Sequence, residues 1–440
     1  MVFNLFYYIM IYAFYKFSKF ISLLSIYYSH YYLTGKYDEN KMKRVLNQID
    51  NCIYIKLAQW IATKMDNFYN IKDPLLKNLN NFFENCKIHD FSHTNNILNN
   101  IEGLTEISKN PIASGSIGQV HLGIYKGKTV AIKVKHPNIE KDFKQHSQFL
   151  KLIKYLNFLP FEINSFFDNL EKQLDFNLEA KNTKQFQYNY KNTNFLIFPE
   201  IYLHSNDFII SKYINGEPYE KLTNNITIYN HNKINILIYI FLLDSILIKN
   251  FNHGDMHPGN WKIIKDNNKY KIVVFDCGYV YKIDKNNFSI KTIWNAIENN
   301  NLEPVLDFCL SNIYYTKCSK EELTEIKNIY LNSVKNNNGY NEILENLPSF
   351  LKELYNKGVI LKSQFFNILL SIIFMEKIIL KRAFCDPRES FEKTQREMKM
   401  FGLATIDNII EFTELKKYFI ETLPKKENDF LFDIETDDED

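Results

Sequence analysis

The chain has 440 residues, 45% hydrophobic and 15% aromatic, which is enough for one large or two ordinary domains. With 53 basic against 51 acidic residues the formal net charge is only +2, so no global field draws nucleic acid or acidic partners, and no nucleic acid is expected to bind. The six cysteines (Cys52, Cys86, Cys277, Cys309, Cys318, Cys385) form no C-x-x-C pair and no regular framework, which reads as reduced thiols in a reducing compartment rather than a disulfide scaffold.

Residues 1–35 form an aromatic, hydrophobic leader. Leu5–Tyr15 is uncharged, Lys16 and Lys19 interrupt, and Phe20–Leu33 is again uncharged but carries serines. No positive region precedes the first stretch and the first arginine is Arg44, a pattern unlike a secretory signal or an Arg-rich transit peptide. Each apolar piece is shorter than the roughly 20 residues of a spanning helix. The expectation is an interfacial segment or one imperfect span, giving an intracellular, membrane-associated protein; a hairpin docked on the core is the plain structural alternative.

Residues 36–100 read as a helical N-terminal extension. Ile49, Ile53, Leu57, Trp60, Ile61 and Met65 fall at helical spacing within Val45–Phe68, and a polar connector, Asn78–Asn100, follows. Asn-rich patches such as Asn299–Asn301 and Asn336–Asn338 match a bias toward AT-rich codons and carry no functional weight. Residues 101–215 read as a strand-rich lobe. Gln119–Tyr125 and Thr129–Lys135 flank a turn at Lys126-Gly127-Lys128. A long helical region is expected from Ile139 to Tyr190, then a strand pair, Phe195–Tyr202 and Phe208–Tyr213, before a break at Asn215-Gly216-Glu217-Pro218. Residues 216–425 are mostly helical, interrupted around His253–Ile264 and Tyr270–Tyr279. Residues 426–440 end in an acidic run, Asp433–Asp440, which reads as a solvated tail. A strand-rich lobe followed by a helical one is α+β.

The two interruptions carry chemistry. In His253-Gly254-Asp255-Met256-His257-Pro258-Gly259-Asn260 an Asp and an Asn stand five residues apart on a Pro-Gly loop, the spacing of the kinase catalytic loop H-R-D-x-x-x-x-N. Asp255 can accept a proton from a hydroxyl or orient a water, and Asn260 can offer a neutral oxygen to a hard cation. In Val273-Val274-Phe275-Asp276-Cys277-Gly278 a β-branched run ends in an Asp with Gly two residues on, the kinase D-F-G pattern with Cys for Phe; Asp276 can bind Mg²⁺. Upstream, Val130-Ala131-Ile132-Lys133 matches the V-A-I-K lysine motif. A lysine in an apolar strand needs a partner, and Glu179 in Leu174–Ala180 is the candidate. Phosphate coverage falls to Ile112, Ala113, Ser114, Gly115, Ser116, Ile117, Gly118, Gln119 and Val120, through backbone N–H groups and the Ser114 and Ser116 hydroxyls.

Taken together, Pro111–Val120, Leu174–Ala180 and H-G-D-M-H-P-G-N resemble the UbiB/ADCK-type atypical kinases associated with coenzyme Q. The resemblance spans about Val45 to Phe384 and implies a bilobal protein kinase-like fold with a helical N-terminal extension. It also implies that Lys56-Leu57-Ala58-Gln59 stands for the family's K-x-G-Q, so that Lys56 and Gln59 face the nucleotide site. Three departures accompany it. Ala58 replaces the motif's glycine, Gln173 replaces the first carboxylate of E-x-D, whose second is Asp175, and Gly115 replaces the third alanine of the Ala-rich loop, which implies a less tightly locked loop. Gly254 stands where a protein kinase has the Arg that reads a phosphorylated activation loop, and no A-P-E follows Asp276.

The implied function is Mg²⁺-dependent ATP chemistry, ATPase or phosphotransfer, linked to a lipid or prenyl-quinone near a membrane surface. In that reading Lys133 and Glu179 position phosphates, Asn260 and Asp276 hold Mg²⁺, and Asp255 orients the nucleophile. Two other classes fit less of the chain: a small-molecule kinase of the aminoglycoside/choline type, which shares H-G-D-x-H-P-G-N alone, and an ATP-dependent scaffold without turnover.

Overall fold

The computed structural model describes residues 88–153, 164–191, 193, 195–222, 249–256, 258–266, 269–282, 303–335 and 341–362, with scattered residues between 14 and 56 and between 234 and 245. Gln59, His257, most of the leader and the acidic tail lie outside the described residues. The chain divides into two compact units, Met1–Ala180 with Glu200–Tyr213, and Lys181–Pro199 with Ile214–Asp440.

The first unit is built on one antiparallel sheet. Helix α1 (Phe91–Leu98) precedes β1 (Leu104–Thr105), β2 (Ala113–Ser114), β3 (Gly118–Tyr125) and β4 (Lys128–Lys135); after α2 (Ile139–Ile153) and α3 (Asn164–Leu174) come β6 (Ile201–His204) and β7 (Phe208–Lys212). The order is β1-β3-β4-β7-β6, with β2 paired to the other end of β3. The β3–β4 turn is the expected one. Lys126 (φ 48°) and Gly127 (φ 78°) both take left-handed conformations between Tyr125 and its partner Lys128, the backbone a two-residue primed turn demands.

Strand alternation then sorts the faces of β4. Val130, Ile132 and Val134 are fully buried and pack with Leu98 of α1 and Ile210 of β7, while Lys133 and Lys135 share the opposite face. The register sets Val120 opposite Lys133 and Gln119 opposite Val134. Val120 therefore lies on the lysine face, and Gln119 on the face under α1.

Two elements differ from the sequence reading. The helical stretch from Ile139 to Tyr190 is three helices, α2, α3 and α4 (Phe176–Asn189). Its last break falls at Asp175, whose carboxylate accepts from the N–H groups of Asn177 (3.0 Å) and Leu178 (3.1 Å). That is an N-cap, and it starts a new helix. The strand read as Phe195–Tyr202 is two strands, because Pro199 interrupts it. β5 (Leu196–Ile197) belongs to the second unit and pairs in parallel with β10 (Lys269–Val274), whereas β6 stays in the first sheet.

In the second unit β9 (Trp261–Asp266) and β10 form the expected hairpin, and β8 (Asn252–His253) pairs with β11 (Val280–Tyr281). Short α5 (Tyr219–Leu222) packs Tyr219 on the fully buried Trp261, ring centroids 5.5 Å apart. Glu217 is pinned to Ile263 by two backbone hydrogen bonds (2.8 and 2.9 Å). Further on lie α6 (Glu303–Ser311), β12 (Ile313–Tyr315), α7 (Lys320–Lys335), α8 (Asn341–Asn356) and β13 (Ile360–Leu361), with β12 and β13 paired.

The two glycines of the β2–β3 loop are unequal. A Cβ on Gly118 would sit 2.4 Å from the Val134 carbonyl oxygen, whereas one on Gly115 meets only Gly118 O at 3.7 Å. Gly118→Ala is therefore expected to lower stability by about 1–3 kcal/mol through backbone displacement, and Gly115→Ala to change it by less than about 0.5 kcal/mol. Chemical denaturation of the two variants checks this, and equal midpoints would contradict it.

Candidate functional site

The first unit holds the lysine motif. Lys133 Nζ donates to both carboxylate oxygens of Glu179, at 2.9 and 2.8 Å. The two side chains are 19% and 7% exposed. Glu179 stands in the first turn of α4, where the helix N-terminus favours an anion. Phe176, one turn earlier and fully buried, lies under both strand lysines: Lys133 Nζ is 5.1 Å and Lys135 Nζ 5.2 Å from its ring centroid. Lys135 is itself paired with Glu140 at 2.8 Å, and that bond holds the Glu140 carboxyl below its ordinary range.

The candidate phosphate loop is the β2–β3 hairpin. Gly115 N–H donates to Gly118 O at 2.9 Å and Ile112 N–H to Val120 O at 2.7 Å. Ile112 and Ala113 are exposed, Gly115 and Val120 partly so, and Ser114, Ser116, Ile117 and Gly118 are buried. The Ser114 hydroxyl has no hydrogen-bond partner. Gln119 is fully buried, and its side chain bonds the His89 backbone and His121, so only its main chain belongs to the loop.

Of the K-x-x-Q segment, Lys56 is partly exposed. Its neighbour Tyr54, 1% exposed, sets its hydroxyl 2.8 Å from Nδ1 of the buried His146 on α2. Asp175, the carboxylate that remains of E-x-D, caps α4.

The second unit holds the other three residues. His253, 3% exposed, accepts from Asp255 N–H on Nδ1 (3.2 Å), which leaves the proton on Nε2 to donate to Phe275 O (3.0 Å). Phe275 N–H in turn donates to Asn260 O at 2.8 Å. Asn260 Nδ2 donates to Asp255 O at 2.7 Å; this bond spends the amide N–H and keeps the side-chain carbonyl oxygen for another role. The catalytic-type loop and the D-C-G loop are thus one hydrogen-bonded assembly.

Asp276 is exposed and carries φ 50°, a left-handed conformation that Asp tolerates better than most residues. Its exposed carboxylate and the Asn260 carbonyl are hard oxygen donors. Two of them suit Mg²⁺, which keeps waters and phosphate oxygens in its shell rather than a full protein cage.

Sequence reasoning missed three contacts. Asn182 Nδ2 donates to Cys277 O at 2.9 Å, fixing the D-C-G turn from α4. A Cβ on Gly254 would lie 2.4 Å from the Tyr279 ring, so the glycine standing for the kinase arginine is required by packing. Four histidines gather under the β2–β3 loop; their spacing, His89 and His93 at i and i+4 with His121 within β3 and His136 just after β4, was the available signal.

The comparisons with known proteins agree with these motifs. A probable serine/threonine-protein kinase of Dictyostelium discoideum is 30% identical over 235 residues, 48% of this chain and 33% of that one. A mitochondrial ABC1 family protein of Saccharomyces cerevisiae is 26% identical over 246 residues, 47% of this chain and 37% of that one. A chloroplastic Activity of BC1 Complex kinase of Arabidopsis thaliana is 29% identical over 194 residues, 40% of this chain and 27% of that one. The chain thus spans roughly a third of the length of these relatives. The ABC1 atypical kinase-like domain model matches residues 76–308, over half of the chain and every motif from the β2–β3 loop to D-C-G, so the chain belongs to the ABC1 atypical kinase-like family, with the UbiB/ADCK proteins among its kin.

Proposed function

We propose that the chain binds Mg·ATP and performs phosphoryl chemistry, as an ATPase or as a kinase of a lipid or prenyl-quinone-like small molecule. The observation that carries this reading is the bidentate Lys133–Glu179 pair, which holds a part-buried ammonium in one place as phosphate positioning requires. Lys133 orients the phosphates, and Glu179 with Phe176 fixes its head group. The main chain of residues 112–120 covers the phosphates. Asp255 accepts the proton of an attacking hydroxyl or water, held in register by His253 and Asn260. Asn260 and Asp276 supply oxygen donors to the metal, and a bound Mg²⁺ would neutralise charge on the phosphate oxygens. Lys56 and Gln59 are assigned to the nucleotide side of the extension by family resemblance.

A protein acceptor is the second reading, since the Dictyostelium relative carries the name of a probable serine/threonine-protein kinase. The Gly254–Tyr279 packing favours the small-molecule reading, because it leaves no room for the arginine that reads a phosphorylated activation loop. Association with a membrane surface through residues 1–35 is supported by exposed apolar side chains there: Phe14, Tyr15, Ile21, Ile26 and Leu33 are 44–82% exposed. Among the described residues no helix is long and apolar enough to cross a membrane.

Nucleotide with Mg²⁺ is expected to stabilise the full chain, by about 2.7 kcal/mol at a hundredfold excess over Kd. Asp276→Asn, isosteric and equally tolerant of a positive φ, should leave ligand-free stability within about 0.5 kcal/mol and remove the Mg²⁺-dependent part of the shift and ATP turnover. Unchanged hydrolysis in that variant, with and without lipid vesicles, would sink the assignment. Gly115→Ala should alter nucleotide affinity at unchanged stability, measured by calorimetry; identical affinities would show that the glycine does not loosen the loop. Glu179→Gln should lower turnover by at least tenfold, because it removes the carboxylate that grips the Lys133 ammonium with both oxygens. Activity within twofold of the parent would contradict the role given to the pair.

A further inference from the structure

His136 holds the β2–β3 loop twice. Its backbone N–H donates to Ile117 O at 2.9 Å, and its side-chain Nε2 donates to Gly115 O at 2.9 Å. From His136 a chain of side chains runs beneath the loop. His136 Nδ1 lies 2.7 Å from His89 Nδ1, His89 Nε2 lies 2.9 Å from Thr94 Oγ1, and Thr94 Oγ1 lies 3.3 Å from His121 Nε2.

The far end of this chain has a fixed tautomer. Gln119 Oε1 accepts from His89 N–H at 3.0 Å, so its amide nitrogen faces His121 Nε2 and donates at 2.9 Å. His121 Nδ1 donates to Ser108 O at 2.7 Å. His121 is therefore neutral, with its lone pair on Nε2.

Counting protons along the relay gives two arrangements with the same heavy-atom positions. In the neutral one, Thr94 O–H donates to His89 Nε2, His89 Nδ1–H donates to His136 Nδ1, and His136 Nε2–H donates to Gly115 O. The 3.3 Å contact to His121 then carries no proton, and it is the longest of the set. In the other, His136 keeps a proton on each nitrogen, both inner bonds reverse direction, and Thr94 O–H turns toward His121 Nε2, whose lone pair it shares with the shorter Gln119 bond. That arrangement holds one extra proton, and its charge sits on the ring bonded to the loop carbonyl.

We propose that His136 is a positioning residue for the phosphate-binding loop and that the His136–His89–Thr94 relay takes up one proton when an anionic nucleotide occupies that loop. The proposal rests on the reading of residues 112–120 as that loop. The groups facing the relay are His93, whose Nε2 donates to Lys135 O at 3.1 Å and whose ring meets His89 edge-on at 4.9 Å, Asp90 beside His89, His121, and the Lys135–Glu140 pair. Burial, with the neighbouring His136, His93 and His121, pushes His89 down to about 3, and burial lowers His136 and His121 as well. The ligand-free relay is thus neutral at neutral pH. Its folded proton affinity lies below the unfolded value, so the ligand-free fold loses stability as pH falls below about 6.5, where the unfolded chain binds protons that the native relay refuses. A phosphate on the loop raises the relay's affinity for a proton, and binding tightens over the same range.

The test is calorimetric binding of adenylyl imidodiphosphate with Mg²⁺ to the full chain, wild type against His136→Gln, whose amide keeps a donor for Gly115 O but cannot take the proton. Between about pH 8 and about pH 5.5 wild-type affinity should rise, by at most about tenfold per pH unit for one proton. The variant, whatever its affinity at the alkaline end, should show only the ligand's own titration. Parallel curves overturn the relay and leave nucleotide binding standing; absence of binding by the wild type overturns both. Nitrogen-15 histidine NMR of the ligand-free wild type covers the case of an unfolded variant. The same spectra are recorded with saturating nucleotide: a second N–H on His136 that appears at higher pH with nucleotide than without it supports the relay, and the same protonation with and without nucleotide overturns it.

Discussion

A charged lysine in the middle of an apolar strand is the constraint around which the first unit is arranged. Val130, Ile132 and Val134 must face the core under α1, so alternation forces Lys133 onto the other face, where it is only 19% exposed. Taking an ammonium and a carboxylate out of water costs about as much as their mutual attraction returns, so the pair adds little net stability. Removing one partner is another matter, since the bidentate contact that fixes the other is then lost. The pair therefore fixes position rather than stability. The surrounding sequence follows from that need: Asp175 starts α4 at the residue that puts Glu179 in its first turn, and the Phe176 ring lies 5.1 Å from the ammonium.

What could be read from the sequence was what local chemistry decides. The Lys126-Gly127 turn needs two left-handed residues, and β3 and β4 follow from alternation. The V-A-I-K, H-G-D-x-x-x-x-N and D-C-G elements are short enough for spacing to define them. What could not be read depends on partners far away in the chain. Nothing in Phe195–Tyr202 announces that Leu196 will pair with Ile272 while Ile201 pairs with Ser211; only Pro199 hints at a division. Nor does the sequence show that the Asp175 carboxylate turns to the N–H groups two and three residues on and so starts a new helix. Gln119 was grouped with the phosphate loop because sequence neighbours look alike, and the pleat turned its side chain to the opposite face from Lys133.

The polar core beneath the β2–β3 loop has the same origin. The face that α1 covers begins apolar at Val130 and Ile132, but at the loop end it carries Gln119, His121 and Thr94, all fully buried. Buried polar groups are tolerated only when their hydrogen bonds are made, and here each one finds partners within the set, ending on the carbonyls of Ser108 and Gly115. A loop with two glycines would be loose if held only by its own Gly115–Gly118 bond. Tying it to a satisfied polar cluster gives it one resting conformation, a rigidity that an apolar contact at its tip would not supply.

In the second unit the order is imposed from His253. Its ring lies beside Phe186 of α4, 6.1 Å away, and each of its two nitrogens meets a different loop. Because Nδ1 must accept from Asp255, Nε2 must donate to Phe275, so one tautomer sets the relation of the catalytic-type Asp to the D-C-G turn. Asp276 then emerges with a left-handed backbone that costs free energy, on a segment held at Phe275 N–H by Asn260 and at Cys277 O by Asn182. Strain in an exposed carboxylate persists only when both flanking residues are over-determined, as they are here. The Tyr279 ring closing on Gly254 completes the clamp. The position at which protein kinases carry the arginine that reads a phosphorylated loop is thus filled by the Tyr279 ring, and it serves the packing of the D-C-G turn.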